Sequence, residues 1–281
     1  MKTSNRIFFG VRRKLRNRPP LLVALAIFMI SVVVLCAFFA DQIAPVDPYA
    51  QNLLVGASSP SPEFLAGTDK LGRDILSRVI HGAQTGLVGP LIIAAGAFSI
   101  ATVLGLVAGY FGGWVDMLIM RWVDFMYAIP GPLIAIVVVG VIGGGYWTAV
   151  FVLVILFTAP DMRIVRGAVL EQRNLPYIEA AQTLGVSKFR IIAVHVLPNI
   201  LPIILAYVAI DFAFALVNLA GLSFLGLGVQ AGTADWGRML SENRNLLYSN
   251  PTALLLPAGL IVTTAVSMNI LGDWLFESFA E

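Results

Sequence analysis

The run Leu21–Ala40 holds 20 consecutive residues without a charge, and as a helix rising about 1.5 Å per residue it covers the roughly 30 Å of a bilayer's hydrocarbon core. Five more apolar segments follow, at Gly86–Phe111, Phe125–Ile142, Tyr146–Pro160, Leu197–Leu219 and Leu254–Leu271. Apolar residues make up 58% of the chain and charged residues 12%, against roughly half and a quarter in soluble domains. A soluble protein of this length would lack the charge to cover its surface. The patterning therefore predicts an all-α integral membrane protein with six transmembrane helices.

The first run is too long for a signal-peptide core, and Phe38-Phe39-Ala40 makes a poor small-residue cleavage site, so it reads as a retained span. Orientation follows from the basic residues. All seven charges in the first 18 residues are Lys or Arg, and Arg121, Arg163, Arg166, Arg173, Lys188 and Arg190 fall on the same side if the N-terminus is cytoplasmic. That makes thirteen inside against five outside: Lys70, Arg73, Arg78, Arg238 and Arg244. The positive-inside bias places both termini and the 161–196 stretch in the cytoplasm, and the acidic tail of Asp273, Glu277 and Glu281 weighs little against it. Gly143-Gly144-Gly145 predicts a tight turn between the third and fourth spans, with Tyr146 and Trp147 at headgroup level.

Cys36 is the only cysteine and there are two histidines, His81 and His195, which leaves no intrachain disulfide and no His/Cys metal cluster. No glycine-rich segment ends in Gly-Lys-Ser/Thr, so ATP binding, if it drives the protein, belongs to another chain. The chain also lacks paired aspartates in adjacent spans, His-Glu-x-x-His and any serine/histidine arrangement in the membrane, which argues against an intramembrane enzyme.

Two longer segments are expected to face outward. In 41–85, Thr68 or Asp69 can cap an amphipathic helix with Leu71, Ile75 and Val79 on one face, and Asp74 can pair with Arg78 four residues on. Such a helix would lie along the outer membrane surface. The second segment, 227–253, carries Trp236-Gly237-Arg238.

The polar stretch from Tyr177 to Asn199 is the most informative. Pro176 suits a first helical turn, Glu179 favours that helix N-terminus, and Gly185 ends the helix in a left-handed conformation. Ser187 can cap a second helix bearing Lys188 and Arg190. Ala180 and Ala181 keep one face thin, so the unit can seat in a groove on a partner, with Glu179 and Arg190 fixing its orientation. No basic recognition face accompanies it, which disfavours nucleic acid.

The spacing of Glu179-Ala180-Ala181, Gly185 and Leu197-Pro198 resembles the cytoplasmic coupling loop of bacterial ATP-binding-cassette (ABC) importer permeases. The runs Gly67-Thr68-Asp69-Lys70-Leu71-Gly72-Arg73-Asp74-Ile75-Leu76-Ser77-Arg78 and Gly109-Tyr110-Phe111-Gly112-Gly113-Trp114-Val115-Asp116 add to this. So do Met120-Arg121, Asp124, Leu222-Ser223-Phe224-Leu225-Gly226-Leu227-Gly228-Val229-Gln230, Trp236-Gly237 and Asn269-Ile270-Leu271-Gly272-Asp273. Together they are similar to the shorter permease of the dipeptide/oligopeptide/nickel branch over nearly the full length. Gln84 stands where an arginine is common, and Leu219 where glutamate often precedes Ala-Gly-Leu-Ser.

The resemblance implies a type I ABC importer permease with both termini cytoplasmic, in the bacterial cytoplasmic (inner) membrane. Residues 1–85 would be the N-terminal segment, first span and outward-facing stretch, and 86–281 a five-helix core with the coupling loop at about 171–198. It implies a second homologous permease, two ATPase subunits carrying ATP and Mg, and an extracytoplasmic substrate-binding protein. The chain itself would hold no cofactor or metal and would not be an enzyme. Glu179, Ala180, Ala181, Leu184, Gly185, Ser187 and Arg190 would make the ATPase contact. The implied cargo is a di- or oligopeptide, with glutathione-like compounds or a nickel or metal chelate as the alternative. A secondary transporter or channel is the reading from another class, and it would leave the Glu-Ala-Ala loop without a purpose.

Within the spans, Asp211 is expected to be functional, because a charge at that depth is costly unless it faces water or a partner. Asn218 lies about 20° away around the helix, so the two share a face and could line a pathway favouring a cationic group. An interhelical or inter-subunit hydrogen bond is the other reading. Ala101, Gly105 and Gly109 form a small-residue ridge suited to close helix packing. Arg121 and Asp124 are expected to pair near the inner face, and Asp161, Arg163 and Arg166 to be solvated where the fourth span leaves the membrane.

Overall fold

The computed structural model describes residues 20–279. The basic residues of the first 18 and Glu281 lie outside the described residues. Every expected span is helical: α1 is Leu21–Phe38, α3 Ile75–Phe111, α6 Tyr146–Arg173, α9 Leu197–Phe224 and α11 Thr252–Phe279. Among the described residues five helices are long and apolar enough to cross a membrane, or six if a bent pair is counted as one span. Between them lie the short α2 (Ala40–Ile43), α7 (Pro176–Thr183), α8 (Lys188–Ile191) and α10 (Trp236–Asn243).

The bent pair corrects the third span. Rather than one helix over 125–142, α4 (Gly113–Tyr127) and α5 (Gly131–Ile142) meet at 82°. Pro130 causes the break. It has no N–H for the helical ladder and holds Ile129 away from helical dihedrals, and its carbonyl then accepts from Leu133 and opens α5.

The outer surface helix is also corrected. Neither Thr68 nor Asp69 caps it. The Asp69 carboxylate accepts from the N–H groups of Leu71 and Arg73, closing a turn at Gly72, whose φ is 70°. Asp74 is the cap, accepting from the Ser77 N–H at 2.8 Å, and the helix it opens is α3 itself, which crosses position 85 without interruption. Asp74 is thereby unavailable to Arg78. The Arg78 side chain is fully buried and donates to the carbonyl of Gly232 at 3.0 Å and to Glu242 at 3.3 Å. Arg73 reaches Asp69 at 2.6 Å and Glu242 at 2.8 Å. This network ties the 41–74 segment to α10. Trp236 completes the joint: its indole N–H donates to the Val79 carbonyl, and its ring lies where a Cβ at Gly82 or Gly86 would stand.

The expected small-residue ridge is present, and its partner is α6. A Cβ at Gly105 would stand 2.8 Å from Val165, and one at Gly109 2.8 Å from Val169. The backbones of α3 and α6 can therefore approach closely, burying Val165, Val169 and Leu106 in one cluster with Ile178 of α7. α1 packs Val33 against Ala83, Phe212 and Ile261 of the later helices, and Gln84 donates to the Ala37 carbonyl at 3.2 Å. The triple-glycine turn forms as expected, with positive φ at Gly143, Gly144 and Gly145. Trp147 is exposed, but Tyr146 turns inward and donates its hydroxyl to the Thr85 carbonyl at 2.7 Å.

Two outcomes follow from this packing. Gly109→Leu must force α3 from α6, so the thermal midpoint of the purified protein in detergent falls, by a destabilisation of about 1–3 kcal/mol for overpacking. Burial alone would raise the Glu242 pKa, but the Gly232 N–H and the charges of Arg73 and Arg78 outweigh it and hold it below the ordinary range. Its contribution to stability is complete above the usual glutamate pKa of about 4.3. That contribution is lost as pH falls through the depressed value. Glu242→Gln should therefore lower the thermal midpoint at pH 7 and flatten its fall on acidification.

Candidate functional site

The polar stretch folds as α7, a tight turn and α8. Pro176 is at the start of α7 and Glu179 is in its first turn. The chain leaves α7 through a Schellman motif: the Val186 N–H donates to Ala181 and the Gly185 N–H to Gln182, with Gly185 at φ 74°. Ser187 precedes α8 without a side-chain capping bond. A π-turn over Ile192–Val196 then joins α8 to α9, with the Leu197 N–H reaching back to Ile192. Pro198 accounts for the widened turn, because it cannot donate to Val194 and its ring crowds that carbonyl.

Of the loop residues singled out in the sequence, Glu179, Ala180, Leu184, Gly185, Ser187 and Arg190 are all exposed. Ala181 is not: it turns inward and packs with Ile178, Ile191 and Val196. Leu184 is 83% exposed and Phe189, which the sequence pattern did not single out, is 77% exposed. Two apolar side chains are thus held out on the same exposed unit as Glu179 and Arg190. The base is rigid. Arg173 donates to the carbonyls of Gly109 and Tyr110 at the end of α3, and Phe111 packs against Phe189 at 6.2 Å.

Two ion pairs clamp α4 along its length to the C-terminal half of α6. Arg166 grips Asp116 through both carboxylate oxygens at 2.5 and 2.6 Å, and Arg163 pairs with Asp124 at 2.5 Å. Asp124 thus bonds across helices rather than to Arg121, because positions three apart along α4 matter less than the facing row of α6.

A cavity of about 490 Å³ opens beside the α4–α5 break, between α6 and α9. Tyr127 and Pro130 come from the break, Phe157 and Asp161 from α6, and Asp211 and Asn218 from α9. Asp211 and Asn218 therefore share one face. Asp161 was expected in solvent and is 1% exposed, with its carboxyl beside that of Asp211. Helical phase explains the correction, since Asp161 and Arg163 are about 200° apart around α6. Arg163 points outward while Asp161 follows the buried line of Thr158 and Val165.

Residues 101–280 match the family model described as binding-protein-dependent transport system inner membrane component. The chain belongs to this family. It is a multi-pass inner-membrane component of a transport system. Among its relatives is the dipeptide transport system permease protein DppC of Alkalihalophilus pseudofirmus, 36% identical over 92% of this chain and 84% of the relative. The glutathione transport system permease protein GsiD of an Escherichia coli strain is 39% identical over 93% and 86% of the two chains. The fold is that of ABC importer permeases. A chain of the inward-facing MetNI methionine ABC transporter superposes with a TM-score of 0.60 at 17% identity, covering 74% of this chain and 98% of that one.

In this family member, the clamp makes a direct expectation. Asp116→Ala removes both bonds to Arg166, and a cycle with Arg166→Ala should return a coupling of about 0.5–3 kcal/mol in thermal or denaturant unfolding of the purified protein. A coupling of zero would mean that the pair does not hold α4 to α6.

Proposed function

We propose that this permease forms half of the translocation pathway of an ATP-driven importer of small peptides, with both termini cytoplasmic. The observation that carries the reading is the exposed α7–α8 unit, whose backbone is locked by the Schellman motif while Glu179, Leu184, Phe189 and Arg190 project outward. A separate ATPase subunit binds ATP and Mg and receives this unit in a groove. Closure of the ATPases then pushes α7 and α8, and the motion passes through Ile178, Ile191 and Val196 into α3, α6 and α9. A second permease completes the pathway, and an extracytoplasmic binding protein delivers cargo. The chain itself performs no hydrolysis.

Peptide cargo is supported by relatives whose names specify dipeptide, D,D-dipeptide and glutathione transport. The cytoplasmic placement of the docking unit rests on the thirteen-to-five distribution of basic residues.

ATPase activity of the reconstituted complex tests this. Peptide-loaded binding protein should stimulate it, and Gly185→Val should abolish the stimulation, because a β-branched residue cannot hold a φ of 74° without strain. Stimulation by a metal chelate alone would overturn the cargo, and an unchanged response in Gly185→Val would overturn the coupling role.

A further inference from the structure

Asp211 reaches the cavity wall with Asp161 buried directly beside it, and no counter-charge accompanies the pair. Asp161 is 1% exposed, and its carboxylate oxygens have no partner other than the Asp211 carboxyl beside them. Oδ2 of Asp211 is also buried and unpartnered. Among the described residues, no basic side chain forms an ion pair with either. Arg163, two positions from Asp161, is spent elsewhere: it donates to Asp124 and lies 4.3 Å over the Tyr127 ring. Adjacent buried carboxylates repel unless a proton or cation lies between them, and an unpaired charge away from water is strongly unfavourable.

The surroundings decide what kind of cation fits. Among the described residues no third His, Cys, Asp or Glu joins the pair, so the donor set is too small for a dedicated metal cage. The other walls are largely apolar and aromatic, including Phe157, Tyr207 and Phe214. Aromatic faces attract organic cations, and a cavity of about 490 Å³ holds a small organic molecule.

We propose that Asp161 and Asp211 form an anionic subsite that takes the protonated amine of a solute, whose apolar body lies against Phe157, Tyr207 and Phe214. One carboxylate pairs with the ammonium and the other, protonated, donates to its neighbour, so the filled site is neutral. As a station on a transport route the subsite rests on the importer reading, but its ligand preference is measurable without it.

The test uses the assembled transporter in lipid nanodiscs, titrated calorimetrically with phenethylamine and with phenethyl alcohol, which keeps the ring and lacks the charge. The amine should bind at least about tenfold more tightly. The contrast should shrink in Asp161→Asn and in Asp211→Asn, and vanish in the double variant. Equal affinities in the unaltered protein would overturn the subsite, as would be seen if a partner's basic side chain filled the gap. A contrast that survives both single variants would overturn its assignment to these carboxylates, and the singles decide this even if the double variant does not assemble. ATPase stimulation by loaded binding protein, read on the same sample, separates the two readings: amine selectivity without stimulation leaves the subsite standing and sinks the importer.

Discussion

Hydrocarbon offers a backbone no hydrogen-bonding partner, so a chain that crosses it must satisfy its N–H and C=O groups within its own helices. Most of this chain obeys without interruption. Prolines interrupt it at several places, and three of them bear on the loop or the cavity. Pro130 breaks the third span into α4 and α5 and opens the cavity. Pro160 removes a donor inside α6 beside Asp161. Pro198 follows a π-turn that re-aims the chain between the exposed α8 and the buried α9. The close seam of Gly105 and Gly109 against Val165 and Val169 holds α3 and α6 together between these irregular places.

That seam also gives mechanical meaning to the loop. Ala181, Ile178 and Val186 face the chain's own core, so α7 is fastened from beneath while Leu184 and Phe189 stand clear above. Force applied to the exposed side chains meets a packed base rather than a slack connection. The same helices carry Asp161 and Asp211 at the cavity, roughly midway along α6 and α9. Ile178 of α7 shares one packed cluster with Val165 of α6 and Ile200 of α9, the two helices that hold the paired carboxylates.

Much of this was legible in the sequence, for physical reasons that differ by element. Apolar run length marked five of the six spans because burial in hydrocarbon selects for it, and Gly185 marked the end of α7 because its turn needs a positive φ. Periodicity failed where tertiary partners took over. Asp74 and Arg78 have helix-pair spacing, yet Asp74 is consumed as a cap and Arg78 by Glu242, a residue 164 positions away. Asp161 looked solvated because Arg163 and Arg166 follow it, and only its phase on α6 separated it from them. Ala181 was grouped with Ala180 by a motif that says nothing about which of two adjacent alanines faces inward. The span over 125–142 was read by apolar run length alone, which passed over Pro130 and the 82° bend at it.

The most direct measurement is photo-crosslinking from Leu184, replaced by a photoreactive amino acid in the intact transporter. If α7 and α8 seat in the ATPase, irradiation should give one adduct with the ATPase subunit, and the same group at buried Ala181 should give internal adducts or none. Adducts from Leu184 only to lipid, or to the extracytoplasmic binding protein, would contradict the seating of this unit and the cytoplasmic placement of the loop together.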